Sequence, residues 1–339
     1  MANLVVDTFG GWCGTSTTIW ATRYNTTNPA VSMSPSGGRF NDGCMIVAGN
    51  NFARVNLRAT ITPTIRIGVA LFATDWSLGS ATGPVITILG DAAGGQCYLS
   101  VDGATKRFQF RNFNNTLLGT GTLVLQNNSW YFVEILITIG NANGAVSLQV
   151  DGVADITLTN VDNQNLATTN ITGYHLRGLV GGFTRFGSLF TADAGPLQGD
   201  SRVFLLTPTA DGAASAWTPS TGTALFSLVD EIPPTDDTDY ISSATATQQA
   251  LFGFSDLPYT PAVVYAVQVS LYARKDDAAA RSIATLVRSG GTTATGATQV
   301  LTTSYLDFYL QIYDLNPVTA AAWTGSEVDA MEAGVECVA

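Results

Sequence analysis

The sequence predicts an all-β chain of two sandwich-like domains, residues 1–207 and 225–339, joined by a linker at 208–224 and carrying one short helix near its end. Three observations predict it. Turn-forming residues recur roughly every ten positions, the spacing of short strands in a sandwich. Alternating apolar runs flank those turns, most clearly from Asn128 to Val153, while a helical period is nearly absent. The chain's 339 residues, 46% of them hydrophobic, suffice for one large sandwich or two smaller ones.

The run from Leu4 to Phe9 reads as an opening strand, followed by a loop at Gly10, Gly11 and Gly14. Strands follow at 52–60, 65–73, 85–89, 97–101, 108–112 and 121–125, with Gly, Pro, Asn and Asp turn chemistry around them. Residues 128–153 form a hairpin. Its first arm sends Trp130 and Phe132 toward a core, with Ile135 and Ile137, and its second sends Val146, Leu148 and Val150, before a turn at Asp151-Gly152. Strands at 155–158 and 175–179 continue the sandwich, and 199–208 is expected to close it. The small, Pro-containing run 208–224 reads as the linker. Beyond an acidic stretch held extended by Pro233 and Pro234, strands are expected at 248–257, 263–273, 282–289, 298–303 and 307–313. The tail 324–334 reads as a helix with Ser326 as N-cap and Gly334 as its stop.

Composition excludes several classes of function. Charged residues make up 12% of the chain, about half the usual share of roughly 25%, and lysine occurs only at Lys106 and Lys275. A net charge of -11 and no basic stripe argue against nucleic acid and against an anionic membrane surface. No secretory signal is read at Met1 to Asp7, so assembly in a cytoplasm is expected. Cys13, Cys44, Cys97 and Cys337 are widely spaced, which fits isolated thiols, and with a single histidine no metal site or other cofactor is expected.

Few residues invite a chemical role. Asp236, Asp237 and Asp239 supply oxygens that a calcium ion could take, but the EF-hand spacing is missing, and a solvated loop is the competing reading. Glu231 and Asp237 as a glycosidase pair are disfavoured because the E-x-D-x-E pattern of jelly-roll glycosidases occurs nowhere. His175, between Tyr174 and Leu176, reads as a packing or hydrogen-bonding residue, with no nucleophile or phosphate-loop motif in the chain. Trp130 reads as core. Trp12, Trp76 and Trp217 lie in turn-rich context and are candidate anchors at protein contacts, with local packing as the alternative.

The Trp130 to Val153 hairpin, with its W…G…V-D-G pattern, resembles the central hairpin of the concanavalin A-like or laminin G-like jelly roll. The series G-D-x-R-V at Gly199, P-T-A-D-G at Pro208, W-T-P-S at Trp217, V-D-E-x-P-P at Val229 and N-P-x-T-x-x-x-W-T at Asn316 resembles a group of tailed-bacteriophage virion proteins. In that group a laminin G-like sandwich precedes a smaller β-rich module. The resemblance implies a non-enzymatic virion protein, capsid-associated and binding other virion proteins as a homo-oligomer, with its copies multiplying weak contacts. The alternative it implies is a tail fibre or receptor-binding protein recognising host glycans. An acidic pair common in the group is replaced here by Thr184 to Phe190, which removes the acids that a metal or glycan site there would need.

Overall fold

In the computed structural model, residues 3–9, 24, 30–57, 62–80 and 83–338 are described; Trp12 and Cys13 lie outside them. The chain is all-β, a jelly-roll sandwich followed by a smaller β-rich unit with one short helix, and it divides into units Met1–Val203 and Phe204–Ala339.

The first unit contains β1 (Asn3–Asp7), β2 (Val31–Ser34), β3 (Cys44–Ala48), β4 (Phe52–Asn56), β5 (Thr64–Ala73), β6 (Pro84–Leu89), β7 (Gly95–Asp102), β8 (Arg107–Asn112), β9 (Leu117–Thr120), β10 (Ser129–Thr138), β11 (Gly144–Val150), β12 (Val153–Val161), β13 (Gly173–Arg177) and β14 (Phe183–Ala192). One sheet has eight strands in the order β12-β11-β10-β5-β14-β3-β2, with β1 also on β14; the other has six in the order β4-β13-β6-β7-β8-β9. Their inner faces share one core, in which Val69, Leu71, Val133 and Ile135 of the larger sheet join Ile86, Ile88, Leu99, Phe110 and Leu176 of the smaller. Alternation explains the division. Along β4, Ala53 and Val55 point inward while Phe52, Arg54 and Asn56 stand half-buried on the outside, and along β13 Tyr174 and Leu176 point inward while His175 and Arg177 do not.

The hairpin forms with Ile135 opposite Leu148 and Ile137 opposite Val146, and Asp151 and Gly152 both take positive φ in its second turn. One expectation reverses. Trp130 and Phe132 have the opposite parity to Ile135 and Ile137, so they face outward, where Phe132 packs with Ala70, Phe190 and Val6 beside Trp130. The closing strand is β14, whereas 199–207 forms no strand. Its upstream end lies over the larger sheet: the buried Glu134 carboxylate accepts from the backbone N–H of Gln198 and Gly199 at 2.7–2.9 Å, and Arg66 donates to the Pro196 carbonyl. Strands β2 and β3 were not expected, and 121–125 is not a strand; β9 takes its place upstream.

The second unit contains β15 (Pro208–Ser215), β16 (Thr218–Pro219), β17 (Ile241–Ser242), β18 (Gln249–Phe254), β19 (Val267–Ala273), β20 (Ser282–Ser289), β21 (Thr292–Val300), β22 (Leu306–Tyr313), α1 (Gly325–Asp329) and β23 (Glu332–Cys337). A five-stranded sheet runs β15-β18-β23-β20-β21, with β16-β17 and β19-β22 as separate pairs. The supposed linker at 208–224 is therefore corrected: its first half is an edge strand. Its small residues permit close approach, since a Cβ on Gly212 would come within 2.8 Å of the Leu251 backbone. The helix is shorter than expected, and Thr324, not Ser326, caps it through a reciprocal bond set with Glu327. Gly334 sits in β23, where a Cβ would come 1.9 Å from the Ala250 carbonyl oxygen.

Candidate active-site cleft on the six-stranded sheet

The outer face of the six-stranded sheet carries a row of side chains set by strand register. Arg54 lies opposite His175, His175 opposite Thr87, Thr87 opposite Tyr98, and Tyr98 opposite Arg111. Directly opposed residues share a face, so these five point the same way. A cleft of about 350 Å³ opens along the row, with His175 and Arg177 at one end and Phe113 and Asn115 at the other. None of its lining residues among those described is a carboxylate.

The cationic end is built from two strands. Phe52 stacks on His175 with ring centroids 3.9 Å apart and planes at 24°, and the Arg177 guanidinium sits 5.3 Å from the Phe52 centroid. Arg177 also donates to the Asn50 side-chain oxygen at 3.2 Å. Burial, reinforced by the positive charges of Arg177 and Arg54, pushes the His175 imidazole down to about 4. It is therefore neutral at ordinary pH, and the positive charge at this end belongs to the two arginines. The Nε atoms of Arg54 and Arg177 are buried without a hydrogen-bond partner, as is the Thr87 hydroxyl on the floor, which is 3% exposed. Such atoms mark places that a ligand or ordered water would satisfy.

The other end is rigid. The Tyr98 hydroxyl donates to Asn115 Oδ1 at 2.6 Å, and Arg111 donates to the Asn115 carbonyl at 2.8 Å and to Gln109 Oε1 at 2.9 Å. Burial raises Tyr98 above the usual tyrosine range, against the opposing pull of Arg111, which keeps its proton on.

Of the residues singled out from sequence that are described, His175 lines the cleft and the others do not. Trp76 is fully buried, edge-on to Phe108 and Tyr131 with centroids 6.4 Å apart, so it is core and not a contact anchor. Trp217 is half-buried and donates from Nε1 to the Gln248 carbonyl at 3.0 Å, which is local packing. Asp237 accepts from Arg274 at 2.8 Å and from the Tyr305 hydroxyl at 2.8 Å, and Asp236 accepts from the Tyr272 hydroxyl at 2.8 Å. These bonds, Arg274 first, hold the Asp237 carboxyl below its usual range. With the charge already met by a guanidinium, no set of three acidic, His or Cys ligands assembles for a metal among the described residues. Burial raises Glu231, helped by Asp230 and Asp239. Cys44, Cys97 and Cys337 are buried. Sequence reading missed Arg54, Arg177, Tyr98, Thr87 and Phe113. The available signal was the pair of short segments Phe52-Ala-Arg54 and His175-Leu-Arg177, each placing an arginine two residues from a ring on the same face.

No family model matches the chain, and no curated protein matches it. Solved structures do. An alginate lyase, Aly36B, is similar over 55% of this chain and 95% of its own at 13% identity, with a TM-score of 0.41. The catalytic domain of a glycoside hydrolase family 131 protein from Coprinopsis cinerea covers 57% of this chain and 97% of its own at 10% identity, with a TM-score of 0.36. The binding domain of Paraclostridial Mosquitocidal Protein 1 covers 68% and 70% at 8% identity, with a TM-score of 0.36. At these identities the likeness is one of fold. The findings nevertheless correct the expectation of a non-enzymatic virion structural protein, whether capsid-associated or tail fibre. The structures named include a lyase and a glycoside hydrolase catalytic domain, and the exclusion of enzyme activity is withdrawn with it.

Proposed function

We propose that the outer face of the six-stranded sheet binds a carboxylate-bearing saccharide, with the carboxylate held by Arg54 and Arg177 beside His175. The observation that carries this reading is the Arg177 guanidinium lining an acid-free cleft beside His175, with Arg54 opposite that imidazole on the neighbouring strand. Guanidinium N–H groups match carboxylate oxygens in charge and geometry. Thr87 and Asn115 offer neutral partners for sugar hydroxyls, and Tyr98 and Phe113 offer ring faces. A phosphate polymer fits poorly, because the three arginines of this face, on a chain of net charge -11, fall short of the many contacts it needs.

His175 favours a second, chemical reading at the same place. With the carboxylate neutralised by arginine, a neutral imidazole can take the proton from the adjacent carbon. The electrons of that C–H bond form a C=C bond as the glycosidic C–O bond breaks, and the leaving oxygen takes a proton from water.

Calorimetric titration of the full chain with a polyuronate, its carboxyl-reduced form and a neutral glucan tests the binding. Saturable binding of the polyuronate alone is expected, weakened about 10- to 100-fold by combined Arg54→Ala and Arg177→Ala, the range for losing charge-assisted hydrogen bonds. Equal affinity for the carboxyl-reduced polymer refutes it. Ultraviolet absorbance of an unsaturated uronate product supports the chemical reading, and its absence from every polyuronate tried leaves binding alone.

A further inference from the structure

We infer that the cleft is bipolar and takes a saccharide chain of at least three rings, with its carboxylate at the Arg54–Arg177 end and a bare ring face stacked on Phe113 at the other. This rests on the saccharide reading above and adds the length and polarity of the ligand.

Phe113 is 47% exposed, yet it is held in place. Its backbone N–H donates to the Gln96 carbonyl at 3.2 Å, and the turn after it is tied by Asn112 Oδ1, which accepts from the Thr116 N–H at 2.9 Å. Its ring lies directly on Gly95. A Cβ at that position would come 1.9 Å from Phe113 Cε2 and 2.2 Å from Cδ2, so only glycine leaves the ring where it is. One face of the ring is thereby seated on backbone at the cleft rim while much of the ring remains open. A lone exposed aromatic residue is ordinary. An exposed ring given its own glycine seat, on a turn fixed by hydrogen bonds, and lining the same cleft as two partnerless polar groups is a preorganised stacking platform.

Register sets the span. Gly95 lies opposite Leu89, and Leu89 opposite Gly173, so the Phe113 seat is two strands across from β13 and two to four residues along it from His175 and Arg177. That separation is roughly 12–16 Å at the usual strand spacing and rise. A pyranose in a chain is about as long as one strand spacing, roughly 5 Å. Three rings are needed to touch both ends at once. Between them lie the Thr87 and Tyr98 hydroxyls, which present neutral polar groups. The middle of the chain is therefore read through hydroxyls.

The test is calorimetric titration of the full chain with uronic acid oligomers of one to five rings. The proteins are the wild type, Phe113→Ala, Gly95→Ala and Arg177→Ala. Affinity is expected to climb to the trimer and then level. Phe113→Ala and Gly95→Ala, which remove or displace the same ring, should each weaken trimer binding about three- to tenfold, the range of an aromatic contact, while leaving the single-ring ligand unaffected. Arg177→Ala should weaken every member. Trimer binding untouched by Phe113→Ala, or a monomer that binds as tightly as the trimer, overturns the inference while leaving the carboxylate reading intact. Failure of every oligomer to bind, or full binding after Arg177→Ala, overturns the carboxylate reading itself. Phe113 is exposed, so its alanine variant folds and keeps the test decisive even if Gly95→Ala does not.

Discussion

Replacing Arg177 with alanine should raise the titration midpoint of His175. The wild-type imidazole titrates at about 4 against an ordinary 6.5, with burial the largest cause and the charges of Arg177 and Arg54 following. At pH 5.5 an ordinary imidazole would be about nine-tenths protonated, whereas one titrating at 4 is roughly 3% protonated. Removing one guanidinium lifts the repulsion but not the burial, so the Arg177→Ala midpoint should rise yet stay below 6.5. Removing both arginines should carry it further. Because the chain has one histidine, a labelled imidazole gives one set of resonances, and an NMR titration between pH 3 and 8 reads the midpoint without assignment. The linked effect on stability has a definite sign. Between 4 and 6.5 the unfolded chain binds a proton that the folded chain does not, so this residue's contribution is intact above 6.5 and is lost as pH falls toward 4. A wild-type midpoint at 6.5 would refute the burial, and an Arg177→Ala midpoint equal to wild type would refute the electrostatic coupling between the two side chains.

Two further outcomes follow from buried groups. Glu134→Ala should cost about 3–5 kcal/mol in urea unfolding, because it leaves the fully buried Arg66 without its carboxylate 3.6 Å away and strands two backbone N–H donors; a cost below about 1 kcal/mol would show that the segment over the larger sheet relaxes freely. Cys97, whose thiol burial pushes far above the usual range, should resist alkylation in the folded protein and react on unfolding, as followed by peptide mapping; rapid labelling under native conditions would contradict its position between the sheets.

The strands were legible wherever alternation was long and strict. The pairing of β10 with β11 could be read from two apolar runs around one turn, yet the side of the sheet was misread for Trp130 and Phe132. Phe132 is buried on the outer face as well, so hydrophobicity alone does not distinguish the two sides. Trp76 misled for the opposite reason. Its turn-rich neighbourhood suggested exposure, but a three-residue helical turn, with the Asp75 side chain accepting from the Ser77 N–H at 2.9 Å, tucks the indole into the core. The strand β15 was hidden because Ala, Gly and Ser pack as an edge through closeness, leaving no apolar signal. The site itself was illegible as a whole. Arg54 and His175 are 121 positions apart in the chain and become neighbours only through the antiparallel register of β4 with β13. Phe113 becomes a platform only because residue 95, on another strand, is glycine.

The contrast between the chain's net charge of -11 and its acid-free cleft determines how an anionic ligand would be held. At physiological salt, charges more than about 8 Å apart are largely screened. The acidic surface therefore neither repels the ligand strongly at long range nor steers it inward, and affinity must come from contact. The contact groups suit that demand. Arg54 and Arg177 are held among protein atoms, their Nε donors have no internal bond to give up, and Phe52 shields one side of the imidazole and guanidinium pair. Desolvated charge pairs are screened far less than exposed ones. Binding at this face should thus weaken only modestly as salt rises, whereas attraction to a diffuse basic surface would collapse.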